Sequence, residues 1–182
     1  ADSIVVRHGN RNVVNEAFRV LRTNFEFMMR EHGSKVIAVT SFSPGAGKSF
    51  VSSNLAVCFA IKGKRVLAID GDLRHGTLSE LVGSPKPGLS DPPNPVELLA
   101  DRRLADAIAV LRNEYDVIII DCPPVEIVTD ARVINDYVDR TLFVVRAGQF
   151  DKAMLPDLDA LYRDGEYRGL CCVLNGTASS DG

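Results

Sequence analysis

The sequence predicts a doubly wound α/β fold built on a mostly parallel sheet. Two observations carry this. Five short runs, Lys35–Ser41, Arg65–Asp70, Val117–Asp121, Thr141–Arg146 and Leu170–Asn175, are aliphatic and β-branched without alternation, the pattern of strands buried on both faces. Helical stretches separate them, and strands alternating with helices belong in a parallel sheet covered on both sides. At 182 residues the chain suits one such domain, 1–182, with a full core and hardly two.

Taken in order, residues 13–32 read as an amphipathic helix. Val14, Phe18, Leu21, Phe25 and Met28 recur at steps of four and three and form one narrow stripe. The first strand follows, then a Gly-rich loop, then a helix from Lys48 to about Ile61 with Val51, Leu55 and Phe59 on one side. Gly63 stands where helices favour a left-handed stop. After the second strand the alternation breaks. One helix is expected near Thr77–Val82 and another begins near Pro95, with Asn94 as N-cap and proline in the first turn, but no strand lies between them. The abrupt join at Asp91–Pro92 is expected to mark a segment missing from the sequence there.

Hydrophobic residues make up 46% and charged residues 25%, ordinary for a soluble globular protein. A net charge of −3 offers no general attraction for nucleic acid, so no nucleic-acid partner is expected. Cys58, Cys122, Cys171 and Cys172 lack metal-ligand spacing; Cys171 and Cys172 are expected to pack as small hydrophobes, and the set fits a reducing compartment. No apolar run approaches the roughly 18 residues of a membrane span, and no signal peptide is visible, so a soluble, cytosolic chain is expected.

Three motifs carry chemistry. The first is Ser43-Pro44-Gly45-Ala46-Gly47-Lys48-Ser49, between a strand and a helix. Backbone N–H groups of such a loop wrap nucleotide phosphates at a helix N-terminus. Gly45, Ala46, Gly47, Lys48, Ser49 and Phe50 are the candidate nucleotide-binding residues: Lys48 reaches the β- and γ-phosphates, and the Ser49 hydroxyl ligates Mg²⁺. Glycine is expected at Gly45 and Gly47 because a side chain would obstruct the phosphate. The general pattern wants a first glycine where this chain has Phe42.

The second motif, Asp70-Gly71-Asp72-Leu73-Arg74, closes the second strand, where strand ends meet at a nucleotide crevice. One carboxylate can hold the Mg²⁺ water shell while the other accepts a proton from an attacking hydroxyl; the competing reading is a solvated turn. The third is Asp121, which ends a buried apolar strand before Cys122-Pro123-Pro124. Burying it unpaired is costly, so a divalent cation is its natural partner. Together these identify a site for phosphotransfer from a Mg²⁺-nucleotide.

At this point the residues resemble one family. The loop SFSPGAGKS, the apolar run followed by Asp70-x-Asp72-x-Arg74, the aspartate of VIIIDCPP, the stretch Pro92–Leu99 and the Glu16-x-x-Arg19-x-x-Arg22 set are together similar to the bacterial protein-tyrosine kinases. That resemblance implies the MinD/ParA-like P-loop fold and a tyrosine autokinase using ATP and Mg²⁺, which controls capsular or exopolysaccharide polymerisation and export. By position it makes Lys48 and Asp70 catalytic, with Asp70 the base for the tyrosine hydroxyl. It makes Ser49, Asp72 and Asp121 the metal shell and Asn175 the reader of the adenine edge. It implies a ring-like homo-oligomer, an octamer, in which the 13–32 helix contributes Glu16, Arg19 and Arg22. Helical arithmetic places those three opposite the apolar stripe, free to meet another subunit; a solvated face with a weak ion pair is the bland alternative. The further partners implied are a membrane-spanning activator or co-polymerase, fused or separate, and a cognate tyrosine phosphatase, with the domain at the inner face of the plasma membrane.

One departure from the family stands out. The residues up to Gly182 do not include the family's tyrosine cluster, so the acceptors are expected beyond the end of this sequence, and Tyr115, Tyr137, Tyr162 and Tyr167 are expected to be structural. His8, His32 and His75 receive no role. Two other functions compete. A partitioning ATPase of the MinD/ParA type typically has a second lysine where this chain has Ser43, which argues against it. A nucleotide-gated scaffold without phosphotransfer would need the same pocket.

Overall fold

The computed structural model describes residues 4–33, 35–72, 78, 102–125 and 135–177. Five strands, β1 (Val36–Thr40), β2 (Val66–Asp70), β3 (Val117–Asp121), β4 (Arg140–Arg146) and β5 (Cys171–Asn175), form one sheet of order β2-β3-β1-β4-β5. Every neighbouring pair is parallel. The non-alternating apolar runs have their cause here: β1 and β3 are buried at all five positions, covered on both faces.

The helices among the described residues are α1 (Val13–His32), α2 (Lys48–Ile61), α3 (Arg102–Glu114) and α4 (Leu155–Arg163). Helices α1 and α2 cover one face, with Phe18, Phe25, Leu55 and Phe59 packed on Ile37, Val39, Ile119 and Leu142. On the other, Leu104, Ile108 and Leu111 of α3 meet Val36, Ile118 and Ile120. The sheet is thus wound on both sides, as the sequence predicts. Asn12 caps α1 by accepting from the Asn15 N–H at 2.9 Å, and Gly33 ends it in left-handed conformation.

Buried amides tie an extended segment ahead of α1 to both helices. Asn54 of α2 accepts from the Val5 and Val6 N–H groups at 2.8 and 3.0 Å. Asn15 of α1 accepts from the Arg7 N–H at 3.0 Å. Each amide is almost fully buried, so these bonds fix where α1 lies on α2.

Several expectations are corrected. Val14, assigned to the buried stripe, is 42% exposed and lines a cavity with Phe50 and Val173 instead of closing against the core. Cys172 is exposed: successive residues on a strand face opposite ways, so Cys171 packs on the core while Cys172 turns outward. All four cysteines are free thiols. Tyr162 is not structural but 65% exposed on α4, a helix the sequence reading missed and of which no residue is buried. The expected helices near Thr77–Val82 and Pro95, Arg74, His75, the Pro92–Leu99 stretch and the Asp91–Pro92 join lie outside the described residues.

Candidate nucleotide-binding site

Because the strands run parallel, the C-terminal ends of β1, β2 and β3 open onto the same edge of the sheet. The loop of residues 41–47 leaves β1 there, and α2 starts at Lys48 with Gly47 as a left-handed N-cap that makes no side-chain bond. The first N–H groups of α2 are therefore directed at whatever the loop encloses. Lys48 is only 8% exposed at this helix start.

The departure at Phe42 has a packing cause. Its ring turns away from the loop into the core, edge-on to Phe143 with centroids 4.8 Å apart, and tilted against Phe150 at 5.7 Å. Gly47 has a further reason beside the expected one. A side chain there would strike the Asn175 amide, with a Cβ only 2.3 Å from Nδ2, and the backbone already sits at φ +94°. At Gly45 the requirement is the backbone angle, φ +80°, with open space around a Cβ.

Asp70 and Asp121 are register partners at the ends of β2 and β3. The Gly71 N–H donates to the Asp121 carbonyl at 2.8 Å, and the Asp72 N–H donates to Asp70 Oδ1 at 3.2 Å. These bonds hold Gly71 and Asp72 against the end of β3. Asp72 is 7% exposed and Asp121 fully buried. Ser52, one turn beyond Ser49, donates its hydroxyl to Asp121 Oδ1 at 3.3 Å, while Oδ2 has no hydrogen-bond partner.

Burial pushes the Asp121 carboxyl up to about 6, against the pull of the Ser49 hydroxyl and the Lys48 ammonium. Asp70 and Asp72 push it further in the same direction. A buried carboxylate with an orphan oxygen beside two others is a site short of positive charge, and a divalent cation fits it. Among the described residues no three His, Cys, Asp or Glu form a metal cage by themselves. Mg²⁺ takes one or two carboxylates and completes its shell from phosphates and water.

Asn175 lies beside the loop, at the end of β5. Its Nδ2 donates to the Ala46 carbonyl at 2.9 Å, and Arg146 Nη1 donates to the Gly45 carbonyl at 3.0 Å. Phe50 faces away from the loop, edge-on to Phe18 with centroids 5.8 Å apart. With Val14, Ala17, Val173 and Asn175 it lines a largely apolar cavity of about 360 Å³ between α1, α2 and β5. Ser52 and Arg146 escaped the sequence reading. Ser52 had a faint signal, a polar side chain one turn on from Ser49 within a helix of apolar residues; Arg146 had none.

Away from the loop, Glu16 and Arg19 form an exposed ion pair on α1, and Arg19 also donates to the Asn10 carbonyl at 2.9 Å. Arg22 does not stand free with them. Its side chain is 13% exposed, 3.6 Å from Glu26, and Nη1 donates to the Cys58 carbonyl of α2 at 3.4 Å. Four residues past Phe18 is only about 40° around the helix, which puts Arg22 at the border of the buried stripe.

Residues 37–142 match the CobQ/CobB/MinD/ParA nucleotide binding domain family. The chain is 35% identical over 193 residues to a putative tyrosine-protein kinase in the cps region of Klebsiella pneumoniae, covering 88% of this chain but 26% of that protein. It thus spans about a quarter of that relative. It is 30% identical over 195 residues to the tyrosine-protein kinase YwqD of Bacillus subtilis, covering 91% of this chain and 82% of YwqD. Among solved structures, the BceF tyrosine kinase domain superposes with a TM-score of 0.77 at 35% identity, over 90% of this chain and 77% of that one. The septum site-determining protein MinD of Pyrococcus horikoshii, in complex with Mg-ADP, has a TM-score of 0.60 at 22% identity, over 81% and 72%, a likeness of fold.

Proposed function

The chain belongs to the bacterial protein-tyrosine kinase family, and we propose that it transfers the γ-phosphate of ATP to tyrosine hydroxyls in copies of its own protein. The observation that carries the proposal is the gathering of Lys48, Ser49, Asp70 and Asp72 around the buried, half-unpartnered Asp121.

In this reading the loop N–H groups and Lys48 hold the β- and γ-phosphates. Magnesium would be held by the Ser49 hydroxyl, Asp121 and Asp72, where it supplies charge neutralisation for the phosphate oxygens. Asp70, less buried than Asp121, takes the proton from the tyrosine hydroxyl as that oxygen attacks the γ-phosphorus and ADP departs. The apolar cavity beside Asn175 receives the adenine ring. Glu16 and Arg19 on α1 meet a second subunit, and a membrane-spanning activator brings the domain to the cytoplasmic face of the membrane. Capsule or exopolysaccharide assembly is the setting, on the strength of the relatives' names.

Labelled ATP and Mg²⁺, given to the protein with its tyrosine tail and activator segment, test the reading. Labelled phosphotyrosine, lost in Lys48→Met, is the expected result. Released phosphate without labelled protein would make it an ATPase, and nucleotide binding with neither product would make it a scaffold.

A further inference from the structure

Arg146 and Asn175 end neighbouring strands at the same register position, β4 against β5. From there they donate to consecutive carbonyls of the phosphate loop, Arg146 to Gly45 at 3.0 Å and Asn175 to Ala46 at 2.9 Å. A loop that turns its N–H groups inward to an anion must turn its carbonyls outward. The Ala46 carbonyl belongs to a buried residue and needs a donor, an unmet one costing about as much as a lost hydrogen bond, while the Gly45 carbonyl lies on the exposed side, where the Arg146 guanidinium holds it in competition with water. The two strand ends supply both donors from a rigid part of the sheet.

We infer that Arg146 and Asn175 are a pair of positioning residues that hold the loop in its phosphate-accepting shape before nucleotide arrives. Two further features agree. Gly47 leaves no room for a side chain on the Asn175 side, so the amide and the loop backbone are in direct contact. The Arg146 stem runs beside Gly176, where the missing side chain leaves it room: a Cβ there would already stand 3.6 Å from Arg146 Cγ. Asn175 is thereby given a task in the loop rather than at the base edge, and Arg146 its first task. The inference rests on the proposed nucleotide site but not on kinase chemistry.

The test uses the whole chain with Arg146→Ala, Arg146→Lys, Asn175→Ala and the double alanine variant, each checked for folding by its thermal melt. Amide hydrogen exchange over residues 43–49, without nucleotide, reads the loop directly. Calorimetric titration with Mg-ADP and Mg-GDP reads its consequence. Faster exchange confined to the loop is expected in both alanine variants, with ADP and GDP affinities each falling about tenfold, by the same factor for both bases. The double variant should lose less than the product of the single losses, and Arg146→Lys should recover part of the affinity.

Unchanged exchange and affinity in the alanine variants would overturn the inference and leave the nucleotide site standing. An Asn175→Ala change that weakens ADP while sparing GDP would make that residue a base reader and sink the pairing. A wild-type chain that binds neither nucleotide would end the proposed function as well.

Discussion

Asp70 and Asp121 face each other in register across β2 and β3, yet only Asp121 is wholly buried. That difference agrees with the separate tasks proposed for them. In the proposed mechanism the fully buried Asp121 serves the cation and the less buried Asp70 serves the incoming hydroxyl. Asp70→Asn is therefore expected to lower the single-turnover transfer rate by about 10²–10⁴, with ADP affinity changed less than about threefold. Quench-flow with labelled ATP, beside calorimetric titration of ADP, checks this. Equal losses in both would make Asp70 a binding residue.

Asp121→Asn separates stability from function. A folded-state carboxyl raised to about 6 binds its proton more tightly than the unfolded chain does, so its contribution is fully present below the ordinary aspartate range and is lost as pH rises through about 6. Without nucleotide, the stability of wild type relative to Asp121→Asn should fall between pH 4.5 and 7.5, by about 2 kcal/mol. Mg-ADP should stabilise wild type much more than the variant. Urea melts at the two pH values decide it, and a difference independent of pH rules out the burial account.

Gly47→Ala brings a Cβ to 2.3 Å from Asn175 Nδ2 at a backbone angle that disfavours side chains. A loss of about 2 kcal/mol in stability is expected, with ADP binding abolished. Part of the damage should disappear in an Asn175→Ala background, where the collision is gone and the angle remains. A double-mutant cycle with additive losses would show that the amide is not the obstacle.

The parts of the fold legible in the sequence were those that local pattern dictates. β3 announces itself as four buried aliphatics, α1 by its steps of four and three, and the phosphate loop by its glycines between strand and helix. What stayed hidden depends on partners distant along the chain. The donor for the Gly45 carbonyl comes from Arg146, 101 residues on, and nothing local to either residue signals it. Asn54 reads as one more polar residue of α2 until Val5 and Val6 are seen on its carbonyl oxygen. Arg22 is a different case: the Glu16-x-x-Arg19-x-x-Arg22 motif spans more than one face of α1, and its third member lies beside Phe18.

Arg112 and Asp139 bolt α3 to the start of β1. The guanidinium makes two bonds to the carboxylate, at 2.7 and 2.9 Å, and the Lys35 and Val36 N–H groups donate to the same carboxylate at 2.7 and 2.8 Å. Burial alone would raise the Asp139 carboxyl, but these donors outweigh it and hold it below the usual range. Its stabilising effect is thus present above the ordinary aspartate pKa and lost as pH falls through the lowered value. Asp139→Ala should cost about 2 kcal/mol at pH 7, and the gap to wild type should close in acid. Denaturation at pH 7 and pH 2.5 tests both; a gap unchanged in acid would mean that packing, not charge, is what Asp139 supplies.

The position of Arg22 changes how the subunit contact should be probed. Replacing Glu16, Arg19 and Arg22 together would remove Arg22 from its place against Cys58, so a smaller particle could follow from a loosened α1 rather than a lost contact. The Glu16 side chain is exposed and that of Arg19 a third exposed, and among the described residues these side chains bond to each other and to the nearby Asn10 carbonyl, so Glu16→Ala/Arg19→Ala should leave the melting temperature within about 2 °C of wild type. The same variant should elute later on size exclusion, while Arg22→Ala alone should lower the melting temperature. If the Glu16→Ala/Arg19→Ala variant elutes with wild type, at a concentration where wild type is assembled, that face of α1 does not meet another subunit.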